Sequence, residues 1–302
     1  MENDSRRRAF KFFITACVLS AMYYFMMETF GPVIEVDGGS REITGTAARI
    51  IAVARNDKKA QIAIKAGFDE LTRISAIIDS DINKVNREAF AGPVKVSPEL
   101  FEILQISIDY CRLSRGALDI TIADSNSHGG YEKLILDINN KTVRFAFEGL
   151  RLDLGDITKG YAVDKAVEIM KRKGAIGGLV DAGGIIRCFG KPARGGSWFV
   201  GLQGTEEIKN QKVKSKNTEE DVNSQPAMVL KLRDCAAAMK PGGVTIIAPK
   251  AVVADILSSA VSALGAEKGL DLVDSLLGVE AIIVTREGKI IKSNGVDAYL
   301  SQ

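Results

Sequence analysis

The stretch DLGDITKGYAVDKA, residues 153–166, joins an extended run to a helix and carries unusual polar chemistry at the join. Val163, Ala166, Val167 and Met170 recur at spacings of three and four, which predicts a helix running to Lys173 with Gly174 as its stop. Ahead of that pattern stand Asp153, Gly155, Asp156, Lys159 and Gly160. Two readings fit them. In one, Asp156 or Thr158 caps the helix and Lys159 is solvated. In the other, the N–H groups and partial positive charge of the helix N-terminus hold an anion beside Lys159. A lysine is poorly placed there unless an anion shares the site. A Walker phosphate loop is excluded, because it needs the lysine after the second glycine and a Ser or Thr next, whereas Lys159 precedes Gly160.

Upstream, REITGTAARIIAVAR (41–55) reads as a strand, preceded by GPVIEVDGGS (31–40) as a linker ending in a Gly-Gly turn. Ile64, Phe68, Leu71, Ile74 and Ile78 mark an amphipathic helix, and SDINKVN (80–86) a polar turn after it. Ser97 and Pro98 start a second helix as N-cap and first helical residue, and Gly116 ends it. Asn139-Asn140 marks a hairpin. Downstream, GGLVDAGGIIRCFG (177–190) is a strand interrupted by a glycine pair, and SWFVGLQG and AMVLKLRDCAAAM read as one strand each. A buried strand (242–249), a helix over 251–265, a further helix and a hairpin around Glu287-Gly288 close the chain. Strands and helices intermix without βαβ alternation, so the fold class is α+β, with mixed or antiparallel sheets and packed helices.

The balance of 40 Lys+Arg against 38 Asp+Glu gives no reason to expect a nucleic-acid partner. One histidine, His128, argues against zinc chemistry built on His clusters. Four cysteines lack CxxC spacing, and Cys111, Cys188 and Cys235 read first as small buried side chains, with a single disulfide as the lesser alternative. Arg6, Arg7, Arg8 and Lys11 precede the uncharged run FFITACVLSAMYYFMM, residues 12–27. The expectation is an uncleaved membrane anchor or signal segment over 1–30, with the remainder extracytoplasmic. A lipoprotein-type cleavage at Cys17 and a plain buried helix are the alternatives. The domain division expected is 1–30, a linker at 31–40 and one domain over 41–302.

Three further clusters could bear chemistry. Gly183-Gly184 in VDAGGIIRCFG lets a backbone pass close to a neighbouring strand or a flat ligand, though the spacing is not a Rossmann fingerprint. Asp255 and Ser259 in ADILSSAVSALG are four apart and share a helix face. They could offer oxygens to a hard cation such as Mg²⁺, or Asp255 could complement the helix dipole. Asp119 and Thr121 in GALDIT lie on one face of an extended segment.

In this order these elements resemble the ApbE family, the FAD:protein FMN transferases. The family's start is matched by TGTAARI (44–50) and its Asn-bearing element by SDINKVN. VSPEL, GALDIT, DLGDITKGYAVD, DAGGIIR and ADILSSAVSALG match its later elements, so the resemblance covers roughly 42–293. It implies an ApbE-like fold and Mg²⁺-dependent transfer of FMN from FAD to a threonine of an acceptor flavoprotein in a membrane electron-transfer system, with AMP leaving. Carried over residue by residue, Lys159 would contact FAD, with Asp119, Thr121, Asp181, Gly183 and Gly184 in the flavin site. Asp255, Ser259 and the backbone carbonyl of Asp156 would hold Mg²⁺. Two family segments are missing. ADSNSHGGYEK lacks the tryptophan of the flavin segment, and CAAAMKPGGVTIIAP lacks the histidine-bearing stretch. A flavin-binding or scaffold protein without turnover is the alternative function.

Overall fold

The computed structural model describes residues 12–23, 26, 31–122, 130–155, 157–202, 228–240, 242–285 and 287–301. Its central sheet has eight strands, all antiparallel. From edge to edge they are β1 (Ile34–Ile43), β2 (Thr46–Ala54), β8 (Gly177–Ala182), β9 (Ile185–Phe189), β12 (Ala236–Lys240), β13 (Val244–Ala248), β14 (Glu280–Val284) and β15 (Ile290–Lys292). Smaller antiparallel groups join β3 (Val94–Lys95), β5 (Leu134–Asp137) and β6 (Thr142–Phe145), β4 (Thr121–Ile122) with β7 (Arg151–Leu152), and β10 (Trp198–Leu202) with β11 (Met228–Leu232). The helices are α1 (residues 12–23), α2 (Asp57–Glu88), α3 (Pro98–Leu113), α4 (Ile157–Arg172), α5 (Ala251–Leu264) and α6 (Ala266–Asp274).

Helices α2, α4 and α5 bury their apolar stripes on one face of the sheet, where Ile64, Val163, Val167 and Ile256 meet Ile50, Val180, Ala236 and Ala238. The opposite face carries the β10–β11 ribbon, whose Trp198, Val200, Leu230 and Leu232 pack on Val53, Leu179, Ile186 and Ala237. This two-sided coverage explains why the central strands alternate so little in sequence.

Several expected elements are observed. Ser97 caps α3 by accepting from Leu100 N–H at 3.1 Å. Asp137 to Asn140 form the β5–β6 hairpin turn. Cys111, Cys188 and Cys235 are buried and free.

Three readings are corrected. The presumed linker 31–40 contains most of edge strand β1, and its Gly-Gly is a bulge, because the register slips between Asp37 and Ser40. Gly39 has φ +71°, and a Cβ on Gly38 would lie 2.4 Å from Ile64 Cγ2. SDINKVN is the last part of α2, not a turn, since Ile78, Ile82 and Val85 continue the core-facing stripe. AMVLKLRDCAAAM is two strands in different sheets, broken at Asp234 with φ +51°. Among the described residues no helix is long and apolar enough to cross a membrane. The expected anchor, 12–27, lies partly outside the described residues.

Candidate functional site

The site is built around the start of α4. Asn86 of α2 fixes its approach by accepting from Leu152 N–H at 2.6 Å and donating to Leu152 C=O at 3.0 Å. Asp153 then makes a local turn, accepting from Gly155 N–H at 2.8 Å, with Gly155 at φ +49°. Asp156 and His128 lie outside the described residues. Lys159 is half-buried in the first turn of α4.

The Asp119–Thr121 element lies beside this entry, since β4 pairs with β7 and Asp153 N–H donates to Ile120 C=O at 2.9 Å. Asp119 Oδ1 accepts from both the backbone N–H (2.9 Å) and the hydroxyl (2.7 Å) of Thr121.

Helices α4 and α5 cap each other. Asp255 of α5 is fully buried and its Oδ2 accepts from Gly160 N–H at 2.9 Å. Asp164 of α4 is 4% exposed and accepts from Ala251 and Val252 N–H, at 2.9 and 3.1 Å, at the start of α5. The N-cap residue of α5, Lys250, contributes no side-chain cap. Each carboxylate thus meets the positive end of the other helix. Arg187 of β9 pairs with Asp164. Tyr161 donates to Glu102 at 2.6 Å and ties α4 to α3.

The glycine pair closes the β8–β9 hairpin, with Gly183 at φ +62° and Gly184 at φ +86°, as a two-residue turn of primed type needs. Asp181 accepts from Gly184 N–H at 3.0 Å. The backbone that passes close by is β12. Met239 N–H donates to Gly184 C=O at 2.9 Å, and a Cβ on Gly184 would meet Met239 O at 3.0 Å.

Burial raises the Asp181 pKa, with Gly184 N–H and Arg49 pulling it partly back. A carboxyl whose folded pKa exceeds its unfolded one binds its proton more tightly when native. Its contribution to stability therefore falls as pH rises from the unfolded value through the folded one, and stays lost at neutral pH. Asp181→Asn keeps the acceptor oxygen and removes the charge. At pH 7 it is expected to be more stable than the parent, with the gain shrinking toward pH 3. Paired urea melts at the two pH values check this, and a loss of stability at pH 7 contradicts it.

Residue Lys240, at the end of β12, was missed by sequence reasoning. Its Nζ lies 2.9 Å from Asp255 Oδ1, with the lysine side chain 13% exposed and the carboxylate 0%. Ser259, the expected second oxygen donor, turns its hydroxyl toward the carbonyl of Asp255 at 3.4 Å, while Ser258 bonds the same carbonyl at 2.7 Å. The expected Mg²⁺ donor set is thus not assembled from these two side chains. One Asp255 oxygen faces an N–H and the other an ammonium. Two unit positive charges about 4 Å apart repel by roughly 4 kcal/mol in a partly buried site, and a divalent ion doubles that. Among the described residues no group of three or more His, Cys, Asp or Glu gathers to hold a metal. The described residues therefore do not fit a divalent cation on Asp255.

A model of the ApbE family matches residues 44–127 and 122–283. The chain belongs to the ApbE family. Among curated relatives, one from Haemophilus influenzae named FAD:protein FMN transferase is 23% identical, over 74% of this chain and 78% of its own length. One of the same name from Treponema pallidum is 26% identical, over 72% and 74%. The ApbE protein of Thermotoga maritima shares the fold at TM-score 0.71 and 21% identity, covering 89% of this chain and 100% of its own. The flavin transferase ApbE of Vibrio cholerae does so at 0.68 and 20%, with the same coverage.

Proposed function

We propose that this ApbE family member transfers FMN from FAD to a threonine hydroxyl of a partner flavoprotein. The observation that carries the reading is the bond from Gly160 N–H to Asp255. With the Gly184–Met239 contact and the β4–β7 pairing, it gathers family elements far apart in sequence around one helix entry. Relatives along most of the chain are named for this activity.

In the reaction the threonine oxygen forms a bond to the FMN phosphorus, and the bond from that phosphorus to the bridging oxygen breaks. AMP leaves with the bridging oxygen, and the hydroxyl proton passes to AMP or solvent. Lys159 and the N–H groups of the α4 entry neutralise the pyrophosphate. Asp119, Thr121, Asp181, Gly183 and Gly184 form the surrounding wall. Lys240 faces Asp255 where the family resemblance implies Mg²⁺, so the phosphate charge is met by Lys159 and the helix entry.

The chain is anchored through residues 12–27, with its domain on the extracytoplasmic side, facing a flavoprotein of a membrane electron-transfer system. Phe12, Phe13, Leu19 and Tyr23 are exposed on α1, which supports a lipid-facing role. The basic residues before α1 support the orientation.

One observation favours flavin binding without turnover. Lys240 pairs with Val244 across the β12–β13 hairpin, so only residues 241–243 join the two strands where the family carries its histidine-bearing segment. The full-length chain in detergent, incubated with FAD and a threonine-bearing acceptor, separates the two readings. The transferase releases one AMP per labelled threonine. FAD binding without AMP supports the second reading, and no FAD binding overturns both.

Lys159→Ala is expected to weaken FAD binding by roughly 10- to 100-fold, the worth of one charge-assisted contact of about 1.5–3 kcal/mol. Flavin fluorescence titration measures it, and an unchanged dissociation constant removes Lys159 from the site.

A further inference from the structure

The geometry points to Lys240 as a built-in counter-cation of Asp255, a fixed ammonium that takes the position of a divalent metal on this carboxylate and makes handling of the FAD pyrophosphate independent of metal there. The metal half of this inference stands on the geometry alone. The pyrophosphate half rests on the function proposed above.

Strand alternation puts Lys240 on the same face of β12 as Ala236 and Ala238, which belong to the core shared with the helices. The small alanines let α5 lie close to the strand, so a lysine at its end meets Asp255 directly, 2.9 Å away. The strand end is held in place. Met239 N–H is bonded to Gly184, and Lys240 pairs with Val244 in the hairpin. A fully buried carboxylate needs a nearby positive group to remain charged, and here the chain supplies one.

The exchange has a consequence for charge. An Asp255–Lys240 pair is neutral, whereas a carboxylate holding a divalent ion carries one positive charge. The site is therefore less attractive to a pyrophosphate by one charge, and more of the binding falls on Lys159 and the helix entry.

The test uses the full-length chain in detergent, with Mn²⁺ as probe followed by electron paramagnetic resonance. FAD titrations in EDTA and in Mg²⁺ run alongside. The parent is expected to show no Mn²⁺ binding below millimolar concentration and less than a twofold change in FAD affinity between EDTA and Mg²⁺. Lys240→Ser, which removes the ammonium and adds an oxygen, is expected to bind Mn²⁺ at least tenfold more tightly than the parent. Its FAD affinity should then improve at least tenfold on adding Mg²⁺. Lys240→Arg keeps the charge and should bind Mn²⁺ no better than the parent.

Tight Mn²⁺ binding by the parent, or a tenfold loss of FAD affinity in EDTA, overturns the inference whether or not any variant folds. So does a folded Lys240→Ser that binds Mn²⁺ no better than the parent, since the ammonium is then not what keeps metal away. If no form binds FAD, the proposed function fails, and the Mn²⁺ comparison still decides the metal half.

Discussion

Replacing Asp164 by alanine is expected to destabilise the protein by about 3–5 kcal/mol, the cost of breaking a buried ion pair by removing one partner. Three donors depend on this carboxylate: the N–H groups of Ala251 and Val252, and the guanidinium of Arg187. Loss of a helix cap alone costs about 1 kcal/mol and at most about 2. The larger part comes from leaving Arg187, whose side chain is 18% exposed, beside no carboxylate. The two contributions share a group and do not simply add. Asp164→Asn keeps an oxygen acceptor but loses the charge, and should fall between the parent and the alanine variant. Urea denaturation of the three proteins measures this. A loss under 1 kcal/mol for Asp164→Ala would show that α5 does not depend on the cross-cap. Because Asp164 fixes the start of α5, its loss should also loosen Asp255 and weaken FAD binding.

The parts of the fold legible in the sequence are those set by local spacing. Val163, Ala166, Val167 and Met170 predict α4, and Ser97-Pro98 predicts the start of α3, because each signal lies within one or two helical turns. Strand β1 was not legible, because its Gly-Gly suits a turn as well as a bulge and only the pairing with β2 decides. Asp234, which separates β11 from β12, is a non-glycine residue at positive φ and carries no strong breaker signal. The site shows the same division. The spacing of Asp255 and Ser259 revealed a shared helix face but not what that face meets. Tertiary packing gives Asp255 to Gly160 and Lys240 instead of pairing it with Ser259 as an oxygen donor. Two signals could have been read. Asp164 is a charge inside the buried stripe of α4, between Val163 and Ala166, and Lys240 continues the alternation of Ala236 and Ala238 onto the core face.

Gly160→Ala is expected to lower both stability and flavin affinity, although helix propensity alone predicts the opposite. In a helix, alanine is favoured over glycine by about 1 kcal/mol. At this position a Cβ would lie 2.5 Å from Ala251 O, 2.8 Å from Ala251 C and 2.8 Å from Asp255 Cβ. Two of these atoms are backbone at the start of α5, so no side-chain rotation relieves the contact and the two helices must separate. Overpacking of this kind costs about 1–3 kcal/mol. Separation also stretches the bond from residue 160 N–H to the buried Asp255 carboxylate, which is worth about 1.5–3 kcal/mol as a charge-assisted bond. These losses exceed the propensity gain and leave a net cost of about 1.5–5 kcal/mol. FAD affinity should fall at least tenfold, because Lys159 moves with the helix entry while Asp255 and Lys240 remain with α5 and the sheet. Gly92→Ala is the control, since a Cβ there meets nothing within 4 Å. It should change stability by less than about 0.5 kcal/mol and leave FAD binding intact. Denaturation and FAD titration of both variants measure the contrast. A Gly160→Ala protein as stable as the parent would mean that the α4–α5 approach has slack, and the site would lose its rigid framework.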